Sequence, residues 1–433
     1  MGINRRDFLA GSGALAGAHL LAPVVFRAGA AFAQEGPDPS TRDRRRLLVI
    51  FQHGGNDGLN TVVPMDDVPG APRYSVYRKV RPSIAYLPED VLALDRAGDA
   101  DHKLGLNPKL QTLHDFYKND RVAIIQGVDY PDHSYSHFDS ADIWESGQPD
   151  ISIDSGWLGR HLDRAGIGEG EMRGVGIGYE LPLSLRGRVA QGDEITSLPV
   201  DFADGRSRAA GARHRALSRY GNHPPTEPLR RFAGQQASNT VRIVNNLHAE
   251  KPPPVTNNSL ADALLTARTL LTGNYGVECA FVLQPGYDTH AGQVPLHEEL
   301  LTQLDRGLEA MFFGTMAGTD LGVGPMDPHL ASRLLVMTTS EFGRRIGEAG
   351  SAGVAGTDHG AAAPVFLIGP SGGALTPGLH GDHPDLGTPA APADNLMLTM
   401  DLRRVYQTLL QDWFEDPDPG YGRKMQPIAG IFA

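Results

Sequence analysis

The stretch RLLVIFQHGGNDGLN, Arg46–Asn60, decides the fold. Arg46 to Gln52 is a short, continuous, mainly apolar run that ends in His53, Gly54 and Gly55. Such a run reads as a buried strand followed by a sharp turn. Downstream, Asn107 and Pro108 open a helical pattern with Leu110, Leu113, Phe116 and Tyr117 on one face. Val122 to Val128 is the next strand, and His137 to Glu145 a helix ending near Gly147. Residues 150–260 read as irregular. Within them Pro224-Pro225 and Pro252-Pro253-Pro254 bracket a weak helix, as in an insertion or lid. Regular elements then resume. They are a helix over Leu260–Leu271, a strand over Val277–Leu283, a long amphipathic helix over Pro295–Phe313, strands over Leu334–Thr339 and Pro364–Ile368, and a final helix over Asp401–Phe414 with Leu402, Val405, Leu409 and Trp413 on one face. Strands alternating with helices predict an α/β fold, a mainly parallel sheet with helices on both faces. One domain over residues 34–433 carries it, and ligands are expected at the carboxyl ends of its strands.

The composition agrees and removes other classes. Of 433 residues, 40% are hydrophobic and 21% charged, a globular balance that excludes disorder and coiled coil. Lys plus Arg is 39 against 51 for Asp plus Glu, a net charge of −12, so no nucleic-acid partner is expected. The single cysteine, Cys279, excludes an internal disulfide and a multi-cysteine zinc site. Sixteen histidines leave room for a His/carboxylate site.

The first 33 residues read as a targeting segment. Arg5-Arg6 with Phe8-Leu9 is followed by a weakly hydrophobic run from Ala10 to Val25 and a small-x-small site at Ala31-Phe32-Ala33. The paired arginines resemble a twin-arginine signal, which exports proteins already folded. The run is too short and too Gly-rich to span a bilayer, and no stable membrane anchor is expected. The predicted location is the periplasm or outside the cell, reached through the twin-arginine export machinery.

Five polar clusters follow strands or precede them. In His53–Asn60 the glycines admit a ligand to the backbone, and Asp57 is a hard oxygen donor suited to a divalent cation. The same residues also make an ordinary Gly/Asn/Asp turn. In Asp132–Ser140, Ser136 or Ser140 could be a nucleophile at a helix start, although serine there is more often only a cap. His133 and His137, four apart, would share a face on one helix, but His133 reads as preceding it. In Gly286–His290, Asp288 and His290 can reach one metal from a loop. In Thr338–Arg345, Glu341 is a candidate ligand, and Arg344 and Arg345 are able to hold a phosphate or sulfate. In Gly356–Gly360, Asp358 and His359 precede the strand at Pro364. Each cluster alone is weak. Together, at successive strand ends, they point to a metal-assisted site.

These motifs carry a resemblance. The segments Phe51–Pro64, Ile124–Pro131 with Ser136–Phe138, Gly286–His290, Thr338–Arg344 and Gly356–Gly360 are similar to a family of twin-arginine-exported bacterial proteins with no assigned activity. The likeness runs from about Arg46 to the final helix. That family resembles the alkaline phosphatase/sulfatase superfamily, which implies a sheet with helices on both faces, two metal positions and a Ser/Thr or modified Cys nucleophile. The resemblance implies metal roles for Asp57, Asp288, His290 and His359, with Ser136 near the nucleophile position. His359 has two readings: the second half of an Asp358-His359 ligand pair, or the last metal histidine before the final core strand. The second reading puts Glu341-Phe342 at the ligand pair and Phe342 where a histidine is expected, leaving one metal site altered or missing.

The function expected from this is metal-dependent hydrolysis of a phosphate or sulfate ester, or a phosphonate. A divalent ion (Zn, Mn, Ca or Mg) would be held by Asp57, Asp288, Glu341 and His359, Ser136 or water would attack, and Arg344 would meet the developing charge. Two other classes stand beside it. One is a non-catalytic exported binding or assembly protein on a degenerate hydrolase scaffold. The other is a Ser/Gly/Asn/His esterase suggested by Gly55-Asn56-Asp57, which lacks the Gly-Asp-Ser block that class needs.

Overall fold

In the computed structural model, the described residues are 43–149, 153–166, 171–178, 180–188, 192–196, 198, 215–216, 218–219, 240–273, 275–370, 374–416, 418 and 424–432. The expected targeting segment, residues 1–33, lies outside them, as does most of 197–239.

Strand β1, Arg46–His53, is buried along its whole length up to its last residue. Its side chains alternate between two buried clusters, as a two-residue repeat dictates. Leu48 and Ile50 join residues of α1 (Gln111–Lys118), α4 (Ser259–Thr272) and α5 (Gln293–Phe313). Leu47, Val49 and Phe51 join residues of α2 (His137–Ser146), α3 (Trp157–Ala165) and α6 (Leu402–Thr408). This double burial is why β1 reads as a continuous apolar run.

The other strands of the main sheet are β2 (Val122–Asp129), β3 (Gly174–Ile177), β4 (Asp193–Ile195), β5 (Cys279–Pro285), β6 (Leu334–Thr339), β7 (Ala363–Ile368), β8 (Gly378–His380) and β9 (Met400–Asp401). Their order is β8-β2-β7-β6-β1-β5-β3-β4, with β9 beside β2. β1 runs parallel to β6 (Leu47 opposite Leu335) and to β5 (Leu47 opposite Cys279). The pairs β5–β3, β3–β4, β2–β8 and β2–β9 are also parallel. The sheet is thus mostly parallel, but β7 is antiparallel to both of its neighbours, β6 and β2. Its start therefore lies at the edge where the parallel strands end. Residues 150–260, expected to be irregular, supply α3 and the strands β3 and β4. Those strands are only three or four residues long, too short to announce themselves in sequence.

One edge of the sheet therefore gathers five chain segments. They are the turn after β1, the loop from β2 to α2, the loop from β5 to α5, the residues after β6, and the loop entering β7. Among the described residues no helix is long and apolar enough to cross a membrane.

Candidate metal centre

The turn after β1 is built on two glycines. Gly54 has φ +121° and Gly55 φ +83°, and a Cβ on Gly54 would lie 2.3 Å from the Asp288 amide nitrogen. Only glycine permits that approach. The Gly54 amide donates to Glu341 Oε1 at 2.7 Å, so the residue after β6 anchors the turn after β1. Ser340 strengthens the joint. Its hydroxyl donates to the Gln52 carbonyl at 2.6 Å and accepts from the Asn56 amide at 2.9 Å.

Arg344 ties the remaining loops together. Its guanidinium is fully buried and donates to the carbonyls of Gly55 (2.8 Å), Thr357 (2.8 Å), Tyr287 (2.9 Å) and Gly54, and to Asp288 Oδ1 (2.7 Å). All three of its nitrogens donate. The residue expected to meet a developing negative charge instead holds three loops and one carboxylate in place.

Around Asp288 the histidines converge. His359 Nε2 and His290 Nε2 each stand 3.0 Å from Asp288 Oδ1 and 3.0 Å from one another. His137 Nε2 stands 3.5 Å from Asp288 Oδ2. The opposite nitrogen of each ring has its own partner. His137 Nδ1 lies 2.7 Å from Glu341 Oε1, His359 Nδ1 lies 2.8 Å from the Tyr135 carbonyl, and His290 Nδ1 lies 3.3 Å from Asp358 Oδ1. His53, at the end of β1, is 4.0 Å from Glu341 Oε1. Two overlapping groups result that could hold a metal ion: His53, His137 and Glu341, and His137, Asp288 and His359. The Phe342 ring, buried, packs 4.8 Å from the His137 ring and 4.7 Å from that of His359.

The local charges shift two of these groups. The hydrogen bond to Glu341 raises the pKa of His137 against the opposing effect of partial burial. Partial burial pushes Asp288 up, but the hydrogen bond and charge of Arg344 outweigh that and, with the His359 and His290 rings beside it, hold it at about 2. Asp288 is a carboxylate at any working pH. The centre is open to solvent on one side, since the side chains of His53, Asp288 and His290 are 42%, 47% and 45% exposed.

The structure thus brings together Asp288, His290, Glu341, Asp358 and His359 of the predicted residues, with Arg344 behind them. Asp57 is not among them. It caps the short helix Gly58–Thr61, pairs with Arg81 Nη1 at 2.7 Å and accepts from Gln293. Burial alone would raise its pKa, but the Arg81 pair lowers it overall. Its carboxylate is engaged by Arg81 and Gln293 and lies outside the two groups that could hold a metal ion. Ser140 is fully buried, donates to the Ser134 carbonyl at 2.7 Å and lies 2.8 Å from the Tyr130 hydroxyl. It is no accessible nucleophile. Ser136 is the N-cap of α2, and its oxygen accepts from the Asp139 amide at 3.4 Å. His133 precedes the helix, 3.9 Å from Asp129 Oδ2, and shares no face with His137.

Residues 123–420 match the profile of a family described as "Protein of unknown function (DUF1501)". The chain belongs to that family. No curated protein matches the sequence. Among solved structures, the chain shows a likeness to the crystal structure of the lipoteichoic acid synthase LtaP from Listeria monocytogenes, with 7% sequence identity over 92% of this chain and 78% of that chain and a TM-score of 0.32.

The DUF1501 chain contributes two site residues that sequence reasoning did not single out as ligands, His53 and His137. Both stood within quoted clusters. His53 is the last residue of a buried strand and is only partly covered, and His137 is the first residue of a helix. Those positions were the available signal, because a polar side chain at a strand's carboxyl end or a helix start faces the ligand edge.

Proposed function

We propose that this protein is an exported metal-dependent hydrolase of phosphate or sulfate esters, centred on the His/carboxylate cluster at the carboxyl edge of the sheet. The observation that carries the reading is the convergence of imidazole nitrogens on the ionised Asp288 at an open place. Nitrogen and carboxylate donors together suit Zn, Mn, Fe or Co better than Ca or Mg. A catalytic site keeps an open side, whereas a structural site is closed. Such an ion, when bound, supplies polarisation of the ester oxygen and acidification of water.

The chain's own residues then have assignable roles. Arg344 and the Gly54–Gly55 turn hold Asp288 in position. Phe342 covers one flank of the His137 and His359 rings and keeps water from it. His53, with Glu341 as its nearest partner at 4.0 Å and an exposed ring, is placed to hand a proton to the departing alcohol. Attack comes from water. Ser140 is buried, and the Ser136 oxygen is directed at the first turn of its own helix. The N-terminal Arg5-Arg6 signal supports assembly of the centre before export in the folded state.

A second reading, a non-catalytic metal-holding protein on the same scaffold, is favoured by Arg344 alone. That arginine is fully buried and spends its bonds on four carbonyls and Asp288, so it does not face an anionic substrate. Metal content by mass spectrometry, together with turnover of nitrophenyl phosphate, phosphodiester and sulfate by the mature chain, separates the two. Bound metal and turnover, both lost in Asp288→Ala, support the hydrolase. Metal without turnover of any ester class leaves the binding reading. A metal-free, well-folded chain removes both.

A further inference from the structure

We propose that the cluster holds one transition-metal ion, bound by Nε2 of His137, His290 and His359 and by the Asp288 carboxylate, while Glu341, Asp358 and the Tyr135 carbonyl orient the rings from outside the coordination shell. This rests on the reading that the cluster is a metal centre, and it fixes the ligand set, the count and the class of metal.

The tautomers decide the ligands. The Tyr135 carbonyl can only accept, so His359 carries its hydrogen on Nδ1. The carboxylates of Glu341 and Asp358 fix His137 and His290 in the same way. Each ring then turns an Nε2 lone pair toward Asp288. Metal-ligating histidines show this pattern, one nitrogen on the ion and the other donating to a carboxylate or a backbone carbonyl.

With both rings neutral, these atoms repel. His359 Nε2, His290 Nε2 and Asp288 Oδ1 are mutually 3.0 Å apart, three acceptors with a single Arg344 donor among them. A cation among them converts that repulsion into attraction. The spacing also suits one ion. Donors about 2.0–2.1 Å from a tetrahedral centre stand about 3.3 Å from each other. The observed 3.0 Å and 3.5 Å lie on either side of that.

The same bonds argue against a second ion in the His53, His137 and Glu341 group. His137 Nδ1 is engaged by Glu341 Oε1, and that oxygen also accepts the Gly54 amide, both at 2.7 Å. Its lone pairs are used, and His137 has no further nitrogen to give. Phe342 fills the flank beside both rings with carbon. Three imidazoles and one carboxylate select zinc or a neighbouring first-row metal and disfavour calcium and magnesium, which prefer all-oxygen shells.

The test is zinc titration of the chelator-stripped mature chain, with metal counted by mass spectrometry and the first shell read by X-ray absorption. One equivalent is expected, with about three imidazoles per ion. Asp288→Ala and His359→Ala should each lose the metal. Asp358→Asn, at an exposed side chain with no folding burden, should keep one equivalent and weaken binding about tenfold to a hundredfold. His53→Ala should bind as the parent does. Two equivalents, one of them lost in His53→Ala, overturn the single-ion assignment and leave the proposed metal centre standing. Unchanged affinity in both Asp358→Asn and His290→Ala removes His290 from the ligand set. No binding by the folded parent removes the metal centre itself.

Discussion

At the scale of single residues, Arg344 is a motif residue that binds loops together from a position without solvent access. Its fork reaches four carbonyls and one carboxylate from a position with no solvent access. A lysine offers three donors from one point and cannot span that set. Arg344→Lys should therefore leave at least two buried carbonyls unpaired, at about 1–3 kcal/mol each. Urea unfolding should show a loss of about 2–5 kcal/mol. Ser136 gives the opposite expectation. As a cap with a long 3.4 Å bond, Ser136→Ala should lower stability by no more than about 1 kcal/mol. If water is the nucleophile, turnover should stay within about threefold of the parent, less than 1 kcal/mol in barrier. Collapse of turnover with the fold intact, measured by circular dichroism beside the ester assay, would make Ser136 the nucleophile instead.

At the scale of elements, the turn after β1 is where fold and site meet. A methyl group on Gly54 would collide with the backbone of Asp288 and require φ +121° of a residue with a Cβ. Gly54→Ala should cost about 1–3 kcal/mol and, by displacing Asp288, lower metal occupancy in the same preparation. Stability lost with occupancy unchanged would separate the turn from the centre. This element was legible in sequence because a strand buried on both faces is an uninterrupted apolar run that must end in a turn. Strands β2, β5, β6 and β7 and helices α1, α2, α4, α5 and α6 were legible for similar reasons. The direction of β7 was not, since a buried run of Val, Phe, Leu and Ile reads the same whichever way its neighbours point. Nor were β3 and β4, whose three or four residues carry no period. In the site, Asp288, Glu341 and His359 could be picked out because they sit beside strand ends. Asp57 met the same criterion, and only the arrival of Arg81, just after the helix Arg73–Val80, shows its carboxylate to be paired away from the cluster. His137 was passed over because its value lies in which nitrogen faces Glu341. That follows from strand register and loop path, which residue order does not encode.

At the scale of the whole molecule, a buried ionic network far from the metal centre ties the final helix to the sheet and predicts how stability responds to pH. His161 on α3 bridges Glu278, 2.9 Å away just before β5, and Asp416, 2.7 Å away beyond the final helix. Arg173 pairs with Glu278 and Arg164 with Asp416. Burial would raise Glu278, but hydrogen bonds from His161 and the Arg173 charge outweigh it and hold it at about 2, against 4.5 when unfolded. Its stabilisation is complete above pH 4.5 and is lost as pH falls toward 2, on the order of 3 kcal/mol in all. Burial also opposes the charged form of His161, yet the hydrogen bonds to Asp416 and Glu278 leave its pKa raised above 6.5. That contribution is complete below pH 6.5 and fades as pH rises through the raised value. Three other buried acids add to the alkaline side. Burial raises Asp129 and Glu145 to about 7 and Asp193 to about 8. The folded state keeps their protons longer than the unfolded chain does, so each subtracts stability as pH climbs from about 4 to its folded pKa. The terms together place maximum stability well on the acid side of neutral, at roughly pH 4 or below, where the Glu278 gain and the loss from the buried acids cross. Urea unfolding of the metal-stripped chain from pH 3 to pH 9 should trace that dome. Glu278→Gln should flatten its acid limb and leave the alkaline limb in place. A parent curve still rising between pH 6 and pH 8 would mean that the buried acids are ionised at little cost, and that water reaches them where the structure shows packed side chains.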